Sequence, residues 1–197
     1  MKSKWLIPGI IIGVIVLIAA VVISGYNGLV GQRESVDTSL ANLDSQYQRR
    51  ADLVPNLVNT VKGAANFEQQ TLTDVTEARA KATQITIDPS NATPEQLQQY
   101  QQAQGELSQA LGRLLAVSEN YPELRAVAGF QDLQVQLEGT ENRIAVARSD
   151  FNDTARQYNT RIKTFPTNII AGIFGFDAFP YFEADKGAEN APSVNFE

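Results

Sequence analysis

Residues 6–23 form an uninterrupted run of 18 residues that carries no charge and is apolar apart from one Pro and two Gly. As a helix rising 1.5 Å per residue, this run spans most of a hydrocarbon core of roughly 30 Å, and Trp5 precedes it where an interfacial aromatic belongs. The alternative is a cleavable signal peptide, whose apolar core normally has roughly 7–15 residues. Residues 22–24 also match a cleavage site poorly. We therefore predict a retained N-terminal membrane anchor over residues 1–25.

The charges are distributed unevenly along the chain. Lys2 and Lys4 are the only charged residues before Gly25, whereas the remainder holds 14 of the 16 basic residues and all 22 acidic ones. Lys2 and Lys4 favour a cytoplasmic N-terminus and an extracytoplasmic body, although Arg33 follows the span closely. An acidic body without a basic stripe argues against nucleic acid as a partner. We expect a single-pass cell-membrane protein whose body is extracytoplasmic.

Several kinds of site chemistry are excluded by composition. The chain has no Cys and no His, so disulfides, zinc sites of the Cys/His type and catalysis by Ser-His-Asp or Cys-His are impossible. Glu138 and Glu141, three apart on one helix, leave an all-carboxylate magnesium or calcium site as an alternative to paired charges that set register. Arg49 and Arg50 near Asp52 are a weak signal for phosphate, since no glycine-rich phosphate loop accompanies them. We predict no catalytic residue, no cofactor, no metal and no small-molecule substrate.

Beyond the anchor, apolar residues recur at steps of three and four, which indicates helices throughout. The first helix continues from the anchor without a Gly/Pro linker, and Pro55 inside it removes one backbone donor. A second helix is predicted from Phe67 to about Ile85. A third runs from a Thr93 cap, with Gln96 able to reciprocate, to about residue 118. A fourth starts at Pro122.

The fourth predicted helix carries a large apolar residue at every seventh position, which specifies a left-handed coiled-coil seam. The residues are Phe130, Leu137, Ile144, Phe151, Tyr158 and Phe165. The sequence therefore predicts an all-α fold. In it, an N-terminal transmembrane helix continues into an elongated antiparallel four-helix bundle, residues 26–165, with long first and fourth helices.

Several short motifs, in this order along the chain, resemble those of the LemA family. They are Tyr26-Asn27, Arg50-Ala51-Asp52-Leu53-Val54-Pro55-Asn56-Leu57-Val58, Ala78-Arg79, Tyr121-Pro122, Thr140-Glu141-Asn142-Arg143-Ile144, Ala147-Arg148, Phe151-Asn152, Tyr158-Asn159 and Phe165-Pro166. The resemblance implies a single-pass bacterial membrane protein with a long antiparallel helical bundle. It implies little about activity, because the family has no established enzymatic function, and one relative's link to magnetosome membrane formation favours an organising role.

An antiparallel first and fourth helix would bring specific charges together. If Tyr26 and Phe165 lie at similar height, facing positions have residue numbers that sum to about 191. This register sets Arg50 opposite Glu141 and places Asp44 near Arg148. Partly buried pairs of this kind fix register more than they stabilise.

The two short helices, near 19 and 25 residues, are predicted to cover only the far half of the long pair. Near the membrane, two helices facing each other bury one stripe each, so apolar surface should remain for a partner. The predicted partner interface consists of Val36, Leu40, Leu43, Phe151, Tyr158 and Phe165.

The segment of residues 166–182 is apolar but too short and too interrupted to span a bilayer. We expect it to pack on the membrane interface or against a neighbouring anchor, and its collapse onto the bundle is the alternative. Residues 183–197 are predicted to be a disordered acidic tail.

Taken as a whole, the sequence favours a non-enzymatic membrane-anchored helical scaffold that self-associates or binds a protein partner, in membrane organisation. The alternative is a regulatory or signal-transducing subunit of a membrane complex, and an enzyme is the third hypothesis. The expected partners are the lipid bilayer and either a second copy of the chain or a membrane protein.

Overall fold

The structure is a computed structural model that describes residues 6–63, 67–88 and 92–182. These residues contain six helices: α1 (Leu6–Lys62), α2 (Gln69–Gln84), α3 (Pro94–Ser118), α4 (Pro122–Arg125), α5 (Ala128–Lys163) and α6 (Thr167–Phe174). They form no strand, which confirms the all-α prediction. The predicted acidic tail and the two N-terminal lysines lie outside the described residues.

Helix α1 joins the predicted anchor to the bundle as one element. It has 57 residues and a length of about 86 Å at 1.5 Å per residue. Within the part of the chain that the structure describes, it is the one helix long and apolar enough to cross a membrane, and its apolar part is not covered by other elements. Pro55 lies inside α1 without ending it. The helix therefore passes from the candidate span to the far end of the bundle without a loop.

The core of the bundle falls into two clusters along its length. The distal cluster is formed by α1, α2, α3 and α5, with Leu57, Val75, Leu111 and Phe130 among its buried residues. The membrane-proximal cluster is formed mainly by α1 and α5 together with the start of α3, α6 and the residues after α6. The seam residues of α5 face both clusters, since Phe130, Leu137, Ile144, Phe151 and Tyr158 are all buried.

The start of α3 follows the predicted capping box. The Thr93 hydroxyl accepts a hydrogen bond from the Gln96 amide at 3.2 Å, and the Gln96 side chain accepts one from the Thr93 amide at 3.1 Å. Each side chain satisfies a backbone donor that the first helical turn leaves free. Local sequence therefore determines where this helix begins.

The predicted fourth helix begins at Pro122, as α4 does, but it is interrupted and it ends early. It is divided into α4 and α5 by Val127, whose backbone is extended. It ends at Lys163, so Phe165 is not part of the seam and is 76% exposed. Phe165 precedes a proline, and the residue before proline is restricted against helical dihedrals, which ends the helix before the seven-residue repeat does.

Candidate functional site

A buried arginine links three helices in the middle of the bundle. Arg50 of α1 is 1% exposed, and its Nη1 lies 2.7 Å from Glu141 Oε1 on α5. The same nitrogen donates to Ser108 of α3, while Nη2 donates to the Gln104 carbonyl at 2.9 Å and to its side-chain oxygen at 2.7 Å. The guanidinium also lies 5.2 Å from the centre of the Tyr47 ring. A charge this deeply buried is tolerated because it is paired and hydrogen-bonded.

Of the two predicted ion pairs, the structure brings together Arg50 and Glu141 but not Asp44 and Arg148. Asp44 instead accepts hydrogen bonds from the Tyr100 hydroxyl at 2.5 Å and from Gln48 at 2.6 Å. Arg148 donates to the Tyr47 hydroxyl at 3.3 Å. The two-helix register did not take α3 into account, and it is α3 that supplies the partner of Asp44.

Burial and hydrogen bonding keep the tyrosines of this region protonated. Burial raises the pKa of Tyr100 well above its ordinary value of 10, and the hydrogen bond to Asp44 raises it further. Burial also raises the pKa of Tyr47, against the opposing effect of Arg148. Both hydroxyls therefore stay protonated at neutral pH, where Tyr100 donates to Asp44 and Tyr47 accepts from Arg148. The hydrogen bonds of Arg50, Tyr100 and Tyr47 hold α1, α3 and α5 in register. Among the described residues, no group of His, Cys, Asp or Glu could hold a metal ion.

The predicted partner interface is wrong, because five of its six residues are buried within the chain itself. Their exposed fractions are Val36 0%, Leu40 2%, Leu43 0%, Phe151 1% and Tyr158 1%. The sixth residue, Phe165, is exposed but lies off the seam. The surface expected to be free is covered by the start of α3 and by the C-terminal residues.

Residues 176–182, here called the extended stretch, run back along α5 in the opposite direction. Asn159 donates from Nδ2 to the Phe179 carbonyl at 2.8 Å and accepts from the Phe179 amide at 2.9 Å. Asn152 makes the same two bonds to Phe182, at 3.0 Å and 2.9 Å. Seven residues of helix rise about 10.5 Å, and three residues of extended chain span about 10 Å. The spacing of the two asparagines along α5 therefore equals the spacing of Phe179 and Phe182 along the extended stretch.

Aromatic contacts accompany these hydrogen bonds. The Phe182 ring packs edge-on against Phe151 with ring centres 5.2 Å apart, and the Phe179 ring packs edge-on against Tyr158 at 5.3 Å. Phe182 is 4% exposed. Edge-to-face pairs of this kind contribute beyond their buried area. Sequence reasoning missed the role of Asn152 and Asn159, although each follows a seam aromatic at the same seven-residue spacing.

Helix α6 packs where the apolar run of α1 ends. Ile170 is buried against Gly25, where a Cβ would collide with the end of the Ile170 side chain. The ring centre of Tyr26 lies 4.9 Å from that of Phe174 and 5.6 Å from that of Phe176. Residues 166–182 were expected either to pack on the membrane interface or a neighbouring anchor, or to collapse onto the bundle. The extended stretch packs on the bundle. Helix α6 remains beside the end of the anchor.

The LemA family model matches residues 39–196, which is most of the chain. The chain belongs to the LemA family. The match includes the Arg50 cluster, both asparagines and the extended stretch.

Magnetosome and LemA proteins from three organisms are similar to this chain along most of its length. Two Paramagnetospirillum magneticum proteins named magnetosome protein MamQ 1 and MamQ 2 are each 29% identical over 91% of this chain and 72% of their own. Magnetosome protein MamQ of Magnetospirillum gryphiswaldense is 28% identical over 86% of this chain and 68% of its own. Protein LemA of Metamycoplasma hominis is 24% identical over 81% and 69%. None of these names describes an enzyme.

Proposed function

We propose that this chain is a non-enzymatic, membrane-anchored helical scaffold that binds a second copy of itself or a protein partner in membrane organisation. The observation that carries the proposal is the continuity of α1 from its candidate span to the far end of the bundle. A continuous helix fixes the orientation of the bundle relative to the span without a flexible joint. Such a link suits a protein that positions other molecules.

The bundle is also stiffened at the levels where partners would act on it. The Arg50 cluster ties three helices together at mid-height, and the extended stretch fills the space between α1 and α5 nearer the membrane. A partner therefore has to use outward faces rather than the buried seam. One such face is a groove between α1 and α5 of about 360 Å³, lined by Gln46, Asn142 and Val146 among others. Val146 is 62% exposed there, and the side-chain oxygen of Gln46 is buried without a hydrogen-bond partner.

The named relatives support a role at a membrane. The MamQ proteins carry magnetosome in their names, and this chain is similar to them over most of its length. We extend that association to this chain as membrane organisation in the general sense, by analogy of family.

The continuity of α1 also favours a second candidate, a regulatory or signal-transducing subunit of a membrane complex. A rigid helix can pass a rotation or shift from one side of the membrane to the other. A flexible Gly-Ser insertion after Ser24 distinguishes the two functions. Partner binding by the body survives the insertion in a scaffold, whereas the response of a transducing subunit to its partner is lost.

Site-specific photocrosslinking in native membranes tests the scaffold proposal. A benzophenone side chain would replace Val146 in the groove or Val135, which is 68% exposed on the same helix, as the matched control. We expect a discrete crosslinked band at Val146 that is much weaker at Val135. Mass photometry of the solubilised wild type should show a species larger than the monomer. A strictly monomeric protein that crosslinks to nothing at either position would refute the proposal.

A further inference from the structure

Helix α6 leaves a cluster of large apolar side chains uncovered. Ile169, Ile173 and Phe174 are 53%, 71% and 50% exposed, and Phe165 just before the helix is 76% exposed. Ile169 and Ile173 are four residues apart and so share one face of the helix. The opposite face, with Ile170 and Ala171, is buried against α1 and α5. A cluster of this size on an outer face usually marks a contact with something else.

The position of α6 along α1 indicates what that contact is. Ile170 meets Gly25 and Phe174 meets Tyr26, which are the second and third residues after the apolar run of residues 6–23. Contacts four residues apart on α6 are thus made to consecutive residues of α1. Both contacts place α6 at the level where the apolar run of α1 ends. When α1 spans the bilayer, α6 lies at the depth where the hydrocarbon ends.

The charges beside α6 fit the same surroundings. No residue of α6 is charged, and the last turn of α5 next to it carries exposed Arg161 and Lys163. Arg161 and Lys163 border α6 on one side and the exposed Asp177 follows it on the other. The basic pair can meet the anionic lipid phosphates when the uncharged apolar face lies in the headgroup region.

We propose that α6 and Phe165 form a second membrane contact, in which Ile169 and Ile173 enter the lipid interface beside the anchor while Phe174 stays packed on Tyr26. The inference rests on the anchoring part of the proposed function and not on its protein partner. The extended stretch holds α6 in this place, because its asparagine-bonded residues follow α6 directly. The bundle then has two attachments to the membrane, and the second one resists tilting about the anchor.

Fluorescence quenching on the full-length chain tests this contact. The chain has no Cys, so one introduced Cys gives a single labelling site. An environment-sensitive dye would be placed at Ile173→Cys or, as the matched control, at Val146→Cys, whose native side chains are 71% and 62% exposed. The protein would be held at one chain per nanodisc of phosphatidylcholine and phosphatidylglycerol. We expect the dye at position 173 to be blue-shifted, quenched by lipids spin-labelled near the headgroup and protected from iodide. The dye at position 146 should be quenched by iodide alone.

Two results would overturn the proposal. The first is equal iodide quenching at positions 173 and 146. The second is protection at position 173 that appears only with two chains per nanodisc, because the apolar face would then be covered by a second copy rather than by lipid. A dye at Phe165→Cys provides a further check, since Ile169→Ser with Ile173→Ser should raise its iodide quenching severalfold. Crosslinking at Val146 reports the protein partner separately, so either proposal can fail without the other.

Discussion

The substitution Asn159→Ala tests whether the extended stretch is held by its asparagines. It removes two hydrogen bonds, of 2.8 and 2.9 Å, and leaves the amide and carbonyl of Phe179 without their partner. At a net value of about 0.5–1.5 kcal/mol for each bond, the loss is about 1–3 kcal/mol. The extended stretch belongs only to the membrane-proximal cluster, so it can detach without unfolding the distal one. The loss should therefore appear as local opening.

Hydrogen exchange measures this opening directly. A change of about 1–3 kcal/mol raises the open population roughly 5- to 150-fold, since each 1.4 kcal/mol is a factor of ten. We expect the amides of Phe179 and Phe182 to exchange faster by that factor, while the amides of α2 keep their rates. Asn142→Ala on the same helix is the matched control, because Asn142 is exposed.

Two outcomes would contradict the reasoning. Exchange at Phe179 that stays within about twofold of the wild type would show that the aromatic contacts alone hold the extended stretch. Faster exchange that spreads to α2 would show that the two clusters unfold together. In the Asn159→Ala variant, a second substitution, Asn152→Ala, should speed hydrogen exchange by less than it does in the wild type, since the extended stretch detaches as a unit.

Substitutions at three further places test other parts of the structure. Arg50→Ala should cost about 1.5–3 kcal/mol in denaturant unfolding followed by circular dichroism, because it removes the hydrogen bonds of a buried guanidinium, while the Glu141 that it leaves behind is 43% exposed. In the Arg50→Ala variant, Glu141→Ala should lower the free energy of unfolding by less than it does in the wild type. Strictly additive losses would argue against the pairing of Arg50 with Glu141. Gly25→Leu should push Ile170 away and speed hydrogen exchange across α6, whereas the same change at Gly28, which has open space, should not. Burial raises the pKa of Tyr100, so the protonated phenol favours the folded state. This contribution to the free energy of unfolding is fully present below pH 10, the ordinary pKa of tyrosine, and is lost as the pH rises above that value. Tyr100→Phe should lower stability by about 1 kcal/mol at neutral pH and reduce this alkaline loss, and an unchanged slope between pH 8 and pH 11 would refute the assignment.

Much of the helical architecture followed from local patterns in the sequence. The uncharged run of residues 6–23 and the absence of a linker after it predicted a helix that continues into the bundle, as α1 does. The capping residues around Thr93 placed the start of α3. The antiparallel register placed Arg50 opposite Glu141 from residue numbers alone. These predictions need only helical periodicity and the rise per residue, which do not depend on the rest of the fold.

The candidate site depended on which third element covers each pair of helices. A register between two helices did not account for α3, so Asp44 meets Tyr100 rather than Arg148. The seven-residue repeat of aromatics did not reveal that the chain itself fills the seam, and five predicted interface residues are buried.

By itself, the sequence determined the candidate span, most of the helix starts and the long antiparallel pair, because periodicity and charge act locally along the chain. Only the tertiary structure decided the course of the extended stretch. An extended segment has no period of its own, and its place depends on bonds between residues 20 and 30 positions apart, from Asn159 to Phe179 and from Asn152 to Phe182. Those bonds turn an apparent partner surface into a closed core. They leave the outer face of α6, beside the anchor, exposed.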